Sequence, residues 1–242
     1  MDVREIWRYP IKSIGGERLD VANVTELGIE GDRRWGVRDT HTGNILTARR
    51  TPALLMATAT VIDGLPLVTT VDGDVIDGSL ESMSGSLSDW LGQPVELVAA
   101  GDDGGTFENP LDVEREADWK SWTGPAHAFH DSGRTRVSLV SAATLDDRDV
   151  RRFRINVVLG GGEESAEDAL VGERVRVGSV ELSITKPIDR CIMVTRAQPG
   201  LPADLDVLKR VIRERSNLMG IGSLVEIAGC LSVGDQLVVN VG

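Results

Sequence analysis

Asp189, Arg190 and Cys191 hold the most chemistry in the chain. They close the run Lys186-Pro187-Ile188-Asp189-Arg190-Cys191. A thiolate attacks electrophiles and binds soft metals, and an adjacent cation favours it over the thiol. Arg190 puts a guanidinium beside that sulfur. Basic and polar groups recur as Lys12-Ser13 after Tyr9-Pro10, as Arg33-Arg34 after Gly31-Asp32, as Arg49-Arg50, and as Arg154 with Asn156. Arginine forks match phosphate and carboxylate oxygens. Gathered by a fold, these residues would make an anion pocket; taken singly, each reads as a solvated charge. Arg154 and Asn156 tell more, because they alternate within an apolar strand pattern and buried polar groups need partners. Cys191 by itself reads first as a small buried hydrophobe. A dyad of Cys191 with His127 or His130 is open by residue type, but nothing in the spacing supports it. The chain has no G-x-S-x-G, Walker or H-E-x-x-H run. With Cys191 and Cys230 as its only cysteines and three histidines, neither a disulfide framework nor a zinc cluster is expected.

These residues depend on short strands to place them. The pattern Val180, Leu182, Ile184 runs into Pro187, which removes a ladder donor, so Asp189 to Cys191 is expected in a turn and a new strand from Ile192. Further strands are predicted at residues 3–7, 19–24, 35–38, 45–48, 58–62, 67–71, 95–98, 136–140, 155–159, 174–177, 224–227 and 236–241. Helices are predicted at 79–91, between Ser79 as N-cap and Gly92 as stop, at 141–150 with Ser141 as N-cap, and at 204–213. The polar stretch 102–133 has little periodicity and reads as a seam between domains. Many short strands and few helices predict a mainly β, α+β protein with a barrel or sandwich core.

The length of 242 residues suits one large or two small domains, and 41% hydrophobic with 26% charged residues suits a globular core. A net charge of −12 argues against a nucleic-acid partner, which needs a basic face. No apolar signal core and no bilayer-length apolar run occurs, so a cytoplasmic protein without membrane attachment is expected.

An ordered set of segments carries a resemblance over nearly the whole chain. It comprises Tyr9-Pro10-Ile11-Lys12-Ser13, Gly31-Asp32-Arg33-Arg34-Trp35, Leu46-Thr47-Ala48-Arg49, Val140-Ser141-Ala142, Phe153-Arg154-Ile155-Asn156-Val157, Glu167-Asp168, Arg190-Cys191 and Val233-Gly234-Asp235. The chain resembles the MOSC proteins with an N-terminal β-barrel domain, relatives of the mitochondrial amidoxime-reducing component and of the molybdenum-cofactor sulfurase C-terminal domain. The resemblance implies a MOSC β-barrel core over residues 106–242, a smaller β-rich N-terminal domain over 1–105 with the chain crossing between them, and a few peripheral helices. It implies a molybdenum cofactor, the Mo-molybdopterin pyranopterin, held by Lys12, Ser13, Arg33, Ser141, Ala142, Arg154, Asn156 and Arg190. Cys191 would be the metal ligand and catalytic residue. The implied activity is reduction of small N-hydroxylated compounds (amidoximes, hydroxylamines, hydroxylated base analogues), with Asp189 or Asp168 as a proton source. Electrons would come from a separate ferredoxin-like or cytochrome/flavin-reductase-like protein. Two alternatives keep the pocket. In one, Cys191 carries a persulfide for cofactor sulfuration, fed by a pyridoxal-phosphate cysteine desulfurase. In the other, the chain binds the cofactor without turnover. The chain departs from the family pattern at Ile155, where proline is usual, and at Ala197-Gln198, where Asp-Pro follows the cysteine segment.

Overall fold

The computed structural model describes residues 1–112 and 117–239. Its main element is an eight-stranded sheet in the order Leu237–Val239, Arg174–Val177, Val180–Asp189, Leu218–Ile227, Val137–Ser141, Val157–Gly160, Asp2–Arg8, Glu17–Leu19. The pair Val137–Ser141 and Val157–Gly160 is parallel, and the other neighbours are antiparallel. The sheet curls so that the segment before and at Leu237 meets the start of the strand Asp2–Arg8. Leu237 N–H donates to the Met1 carbonyl at 2.9 Å, and Gly234 N–H to the Val3 carbonyl at 2.8 Å.

Strict alternation fills the barrel. Val175, Val177, Val180, Leu182 and Ile184 point inward, while Arg174 and Arg176 face solvent. Val3, Ile6, Ala22, Val24 and Ile29 join the same core. The chain therefore starts in the barrel, gives Ile11 and Ile14 to a second core, rejoins the barrel from Glu17 to Ile29, and returns to it again after residues 35–97 have built the rest of that second core. That core holds Ile11, Ile14, Val37, Leu54, Val68, Met83, Leu87 and Leu97. It packs the hairpin Ala57–Ile62/Leu65–Thr70 and the pair Trp35–Asp39/Val95–Ala99 around the helix Leu80–Leu91. Ser79 caps that helix by accepting from Ser82 N–H, and Gly92 ends it in the left-handed region at φ 67°. Against the barrel's outer face, Phe153, Val194, Val207, Leu208 and Val211 form a third cluster under the helix Asp206–Arg215.

The structure corrects several expectations. The strand Val180–Asp189 runs through Pro187, because register shifts between Ile184 and Lys186 and between Pro187 and Asp189 absorb the missing donor. Ile192–Thr195 is a 3-10 turn, not a strand. Residues 45–48 form no strand; Ile45 makes a single bridge to Arg38. The expected helix 141–150 is two short helices, Ala142–Leu145 and Val150–Phe153, capped by Ser141 and Asp149. The polar stretch contains a hairpin, Thr106–Asp112 with Ala117–Thr123. The last expected strand is Leu237–Val239, with Asn240 and Val241 outside the described residues. Among the described residues no helix is long and apolar enough to cross a membrane.

Candidate functional site

Where the second core meets the barrel lies a cavity of about 280 Å³. Lys12, Ser13, Arg33, Arg154, Asn156, Arg190 and Cys191 all line it. Ser141 and Ala142 do not. Ser141 accepts Thr144 N–H at 3.0 Å and pairs with the Thr144 hydroxyl at 2.7 Å; that hydroxyl donates to buried Glu167 at 2.8 Å. Ala142 is exposed. Of the two aspartates expected to handle protons, Asp189 lines the cavity and Asp168 does not; Asp168 binds Arg215 at 2.8 Å. His127 lines a different cavity of about 540 Å³.

Asn156 ties the floor together. Its side-chain carbonyl accepts from Ser138 N–H at 3.2 Å and Ser138 Oγ at 2.9 Å, and its amide donates to the Trp7 carbonyl at 3.1 Å. Arg33 donates to the Asp32 carboxylate and, at 2.9 Å, to the Arg154 carbonyl. Arg154 lies over the Tyr9 ring at 4.4 Å and donates to the Ile14 and Ile11 carbonyls. Arg190 donates to the Met219 carbonyl and, at 2.8 Å, to the Phe153 carbonyl. Arg152 donates to the carbonyls of Val194, Arg196 and Pro202, which fixes the segment that follows Cys191.

Most of these guanidiniums face neutral carbonyls, so their charge is hydrogen-bonded but not neutralised. Burial pushes the Arg154 pKa down to about 10, and Arg33 adds to the fall. Burial likewise takes Arg190 down to about 10, against the pull of Cys191 and Asp189. Such buried positive charge is costly until an anion arrives. Three lining residues other than glycine, Ser13, Arg33 and Arg154, also sit in the left-handed region at φ 67°, 51° and 52°. Each costs about 1 kcal/mol, and strain of this kind collects at ligand-binding sites.

Sequence reasoning left several lining residues out of the site. Arg49 is 7% exposed and reaches both Asp131, at 3.3 Å, and the Cys191 sulfur. Burial works against its charge, yet Asp131 and Cys191 outweigh that and raise its pKa. Its Nε is buried without a partner, which leaves a donor for a ligand. Desolvation by its neighbours opposes ionisation of Asp131, whose side chain is still 64% exposed, but Lys12 and Arg49 prevail and hold its carboxyl well below the usual carboxylate range. Ser132, Thr135 and Lys186 complete the polar wall. The match Leu46-Thr47-Ala48-Arg49 could have flagged Arg49; Asp131 to Thr135 lie in a polar stretch with no periodic signal. His130 is 3% exposed, and burial pushes its pKa well below the ordinary value, so it is neutral.

Lys12 donates to the Phe129 carbonyl at 3.1 Å and to Asp131 at 2.9 Å, and lies over the Phe107 ring at 4.2 Å. Burial lowers its pKa from 10.5 to about 8, with Asp131 opposing the fall. Because the folded value is the lower one, the unfolded chain holds the extra proton between about 8 and 10.5, and stability of the unliganded protein rises with pH in that window. Anion binding has the opposite sign. Phosphate affinity is expected to fall about tenfold per unit as pH rises above about 8. Phosphate titrations from pH 7 to 10 check this, and a flat profile would remove Lys12 from the anion's contacts.

The cavity has the charge to hold a phosphate-bearing anion, and one thiol, Cys191, lines it. Among the described residues no group of three or more His, Cys, Asp or Glu side chains stands ready for a metal ion. A metal at Cys191 would therefore arrive with ligands of its own, as in an organic metal cofactor. The uncompensated cations, the free Arg49 Nε and the one thiol, Cys191, all fit such a group.

The chain matches the MOSC N-terminal beta barrel domain over residues 1–105 and the MOSC domain over residues 123–238. It is 26% identical to mitochondrial amidoxime-reducing component 1 of Homo sapiens, over 97% of this chain and 82% of that protein. It is 25% identical to molybdenum cofactor sulfurase of Drosophila grimshawi, over 88% of this chain and 30% of that protein. Among solved structures, the YUAD protein from Bacillus subtilis superposes with a TM-score of 0.49 at 14% identity, over 98% of this chain and 93% of that one.

Proposed function

The chain belongs to the MOSC family, and on that premise we propose that it binds a molybdenum cofactor and reduces N-hydroxylated compounds with electrons from a separate protein. The overall change is R–NHOH + 2e⁻ + 2H⁺ → R–NH₂ + H₂O. Bound cofactor supplies the two-electron chemistry. The protein's own part is to bind, orient and exclude water. Lys12, Arg33 and Arg154 would hold the phosphate, Asn156 and Ser138 keep the floor rigid, and Cys191 would supply the protein's ligand to the metal. Asp131 is held ionised between Lys12 and Arg49 and so orients cations rather than donating protons. Asp189, at the wall beside Cys191, is the carboxyl placed to pass protons to the departing water. One observation carries the reading: a set of buried, carbonyl-bound guanidiniums converges on the cavity that also holds Cys191. The naming of a similar human protein as an amidoxime-reducing component supports the substrate class.

A second reading rests on the similarity to molybdenum cofactor sulfurase and on Cys191 as the cavity's one thiol beside Arg49. Here Cys191 carries a persulfide received from a pyridoxal-phosphate desulfurase. One experiment separates the two. Purified protein is assayed for molybdenum, for cyanide-labile sulfur, and for benzamidoxime reduction by reduced methyl viologen. Stoichiometric molybdenum with benzamidine formation is expected. Cyanide-labile sulfur without metal overturns the first reading in favour of the second, and bound cofactor without turnover leaves a binding module.

A further inference from the structure

We propose that Lys186 reads an anionic group on the substrate, so that the cavity favours N-hydroxylated compounds bearing a carboxylate or phosphate over neutral ones; this rests on the reductase reading above. Seven lysines and arginines line the cavity against two aspartates, an excess of five charges. A phosphate monoester takes about two of these, which leaves positive charge over. That remainder is unevenly placed. Arg154 and Arg190 donate to main-chain carbonyls deep in the wall, while Lys12 and Arg49 face Asp131.

Lys186 differs from all of them. Its side chain is 31% exposed, and its partner Asp189, 75% exposed, stands 3.5 Å away. A pair so open and so long contributes little, so the ammonium is available at the cavity mouth. Its position there is built into the sheet. Strict alternation would put Lys186 on the face of Ile184, which is 1% exposed in the barrel core. The register shift between Ile184 and Lys186 re-aims the side chain into the cavity wall. The same strand delivers Arg190 and Cys191 just beyond its end at Asp189. A substrate approaching the sulfur thus passes a half-exposed cation.

The test uses cofactor-loaded protein and two probe pairs: benzamidoxime against its 4-carboxylate, and N4-hydroxycytidine against its 5′-monophosphate. Dissociation constants come from calorimetry, so they are read whether or not turnover occurs. In the unaltered chain the anionic member of at least one pair should bind about fivefold more tightly. The pair that shows it tells carboxylate from phosphate. K186M should bring that ratio to about one, K186E should invert it, and 0.5 M salt should shrink it. Equal binding in both pairs, no binding of any probe, or a ratio unmoved by K186M and K186E overturns the proposal. Loss of bound pterin in K186M, measured after oxidative release, also overturns it, since Lys186 would then hold the cofactor. Failure of the reductase reading shows separately, as anionic probes that bind selectively but are not reduced by methyl viologen.

Discussion

Cys191→Ala is expected to lower the molybdenum content of the purified protein by about a hundredfold while leaving the pterin and the fold in place. Losing even a supporting partner of a metal ligand costs about 10- to 100-fold in affinity, so losing the protein's own ligand should cost at least the upper figure. The fold should barely respond. Cys191 is half-buried and precedes the turn Ile192–Thr195 without a side-chain capping bond, so truncation at this position stays within about 1 kcal/mol. The phosphate end should stay bound, because Lys12, Arg33 and Arg154 do not depend on the sulfur. The informative readout is therefore the ratio of metal to pterin. Cys191→Ser should behave like the alanine variant, since a hydroxyl is a poor ligand for a metal that prefers soft sulfur. Unchanged molybdenum in both variants would falsify the assignment of Cys191 as the ligand. Equal loss of pterin and metal would show that the sulfur anchors the whole group.

Much of the cavity was legible in the sequence, and what was missed has physical reasons. Arg154 and Asn156 stood out as polar residues in an apolar strand pattern. The structure corrects the pattern, since the strand starts only at Val157 and Arg154 is the left-handed cap of the helix Val150–Phe153. Yet both are buried, and Asn156 bonds Ser138 and Trp7 on neighbouring strands. Ser141 shows the limit of segment matching. Its cap chemistry was correctly expected, but Ser138 and Ser141 are an odd number of residues apart on one strand and so face opposite ways. Only Ser138 looks into the cavity. Pro187 misled because a missing donor usually ends a strand, whereas here two register shifts make room for it. The hairpin over 106–123 was hidden by its polar composition. Its one sequence signal is Phe107 opposite Trp122, a cross-strand ring pair whose centroids lie 5.2 Å apart. Arg49 follows a segment that looked like a strand and is a turn, so its reach toward Cys191 and Asp131 follows only from the tertiary fold.

Arg154→Met is expected to abolish anion binding yet change the stability of the cofactor-free protein by no more than about 1 kcal/mol. Two opposing terms decide this. The guanidinium is 8% exposed and burial has lowered its pKa to about 10, so holding it charged costs the fold on the order of 3 kcal/mol. Methionine removes that cost, and its thioether can lie on the Tyr9 ring that Arg154 now covers. Against this, the Ile14 and Ile11 carbonyls lose a donor. The Ile14 bond is the closer; at 3.4 Å the Ile11 bond is weak. Buried carbonyls left unpaired cost about 1–3 kcal/mol. The terms nearly cancel, in keeping with exchanges of buried charges for apolar residues of similar volume. Binding has no such offset. The charge that burdens the empty cavity is the one an anion would neutralise, so its removal should weaken phosphate or pterin binding about a hundredfold or more. Denaturant unfolding of the cofactor-free protein, paired with pterin content after loading, checks both halves. A stability loss above about 3 kcal/mol would mark Arg154 as a structural cross-link between barrel and N-terminal core. Near-native stability with no bound pterin would mark a cavity whose positive charge is kept, at a cost in stability, for its ligand.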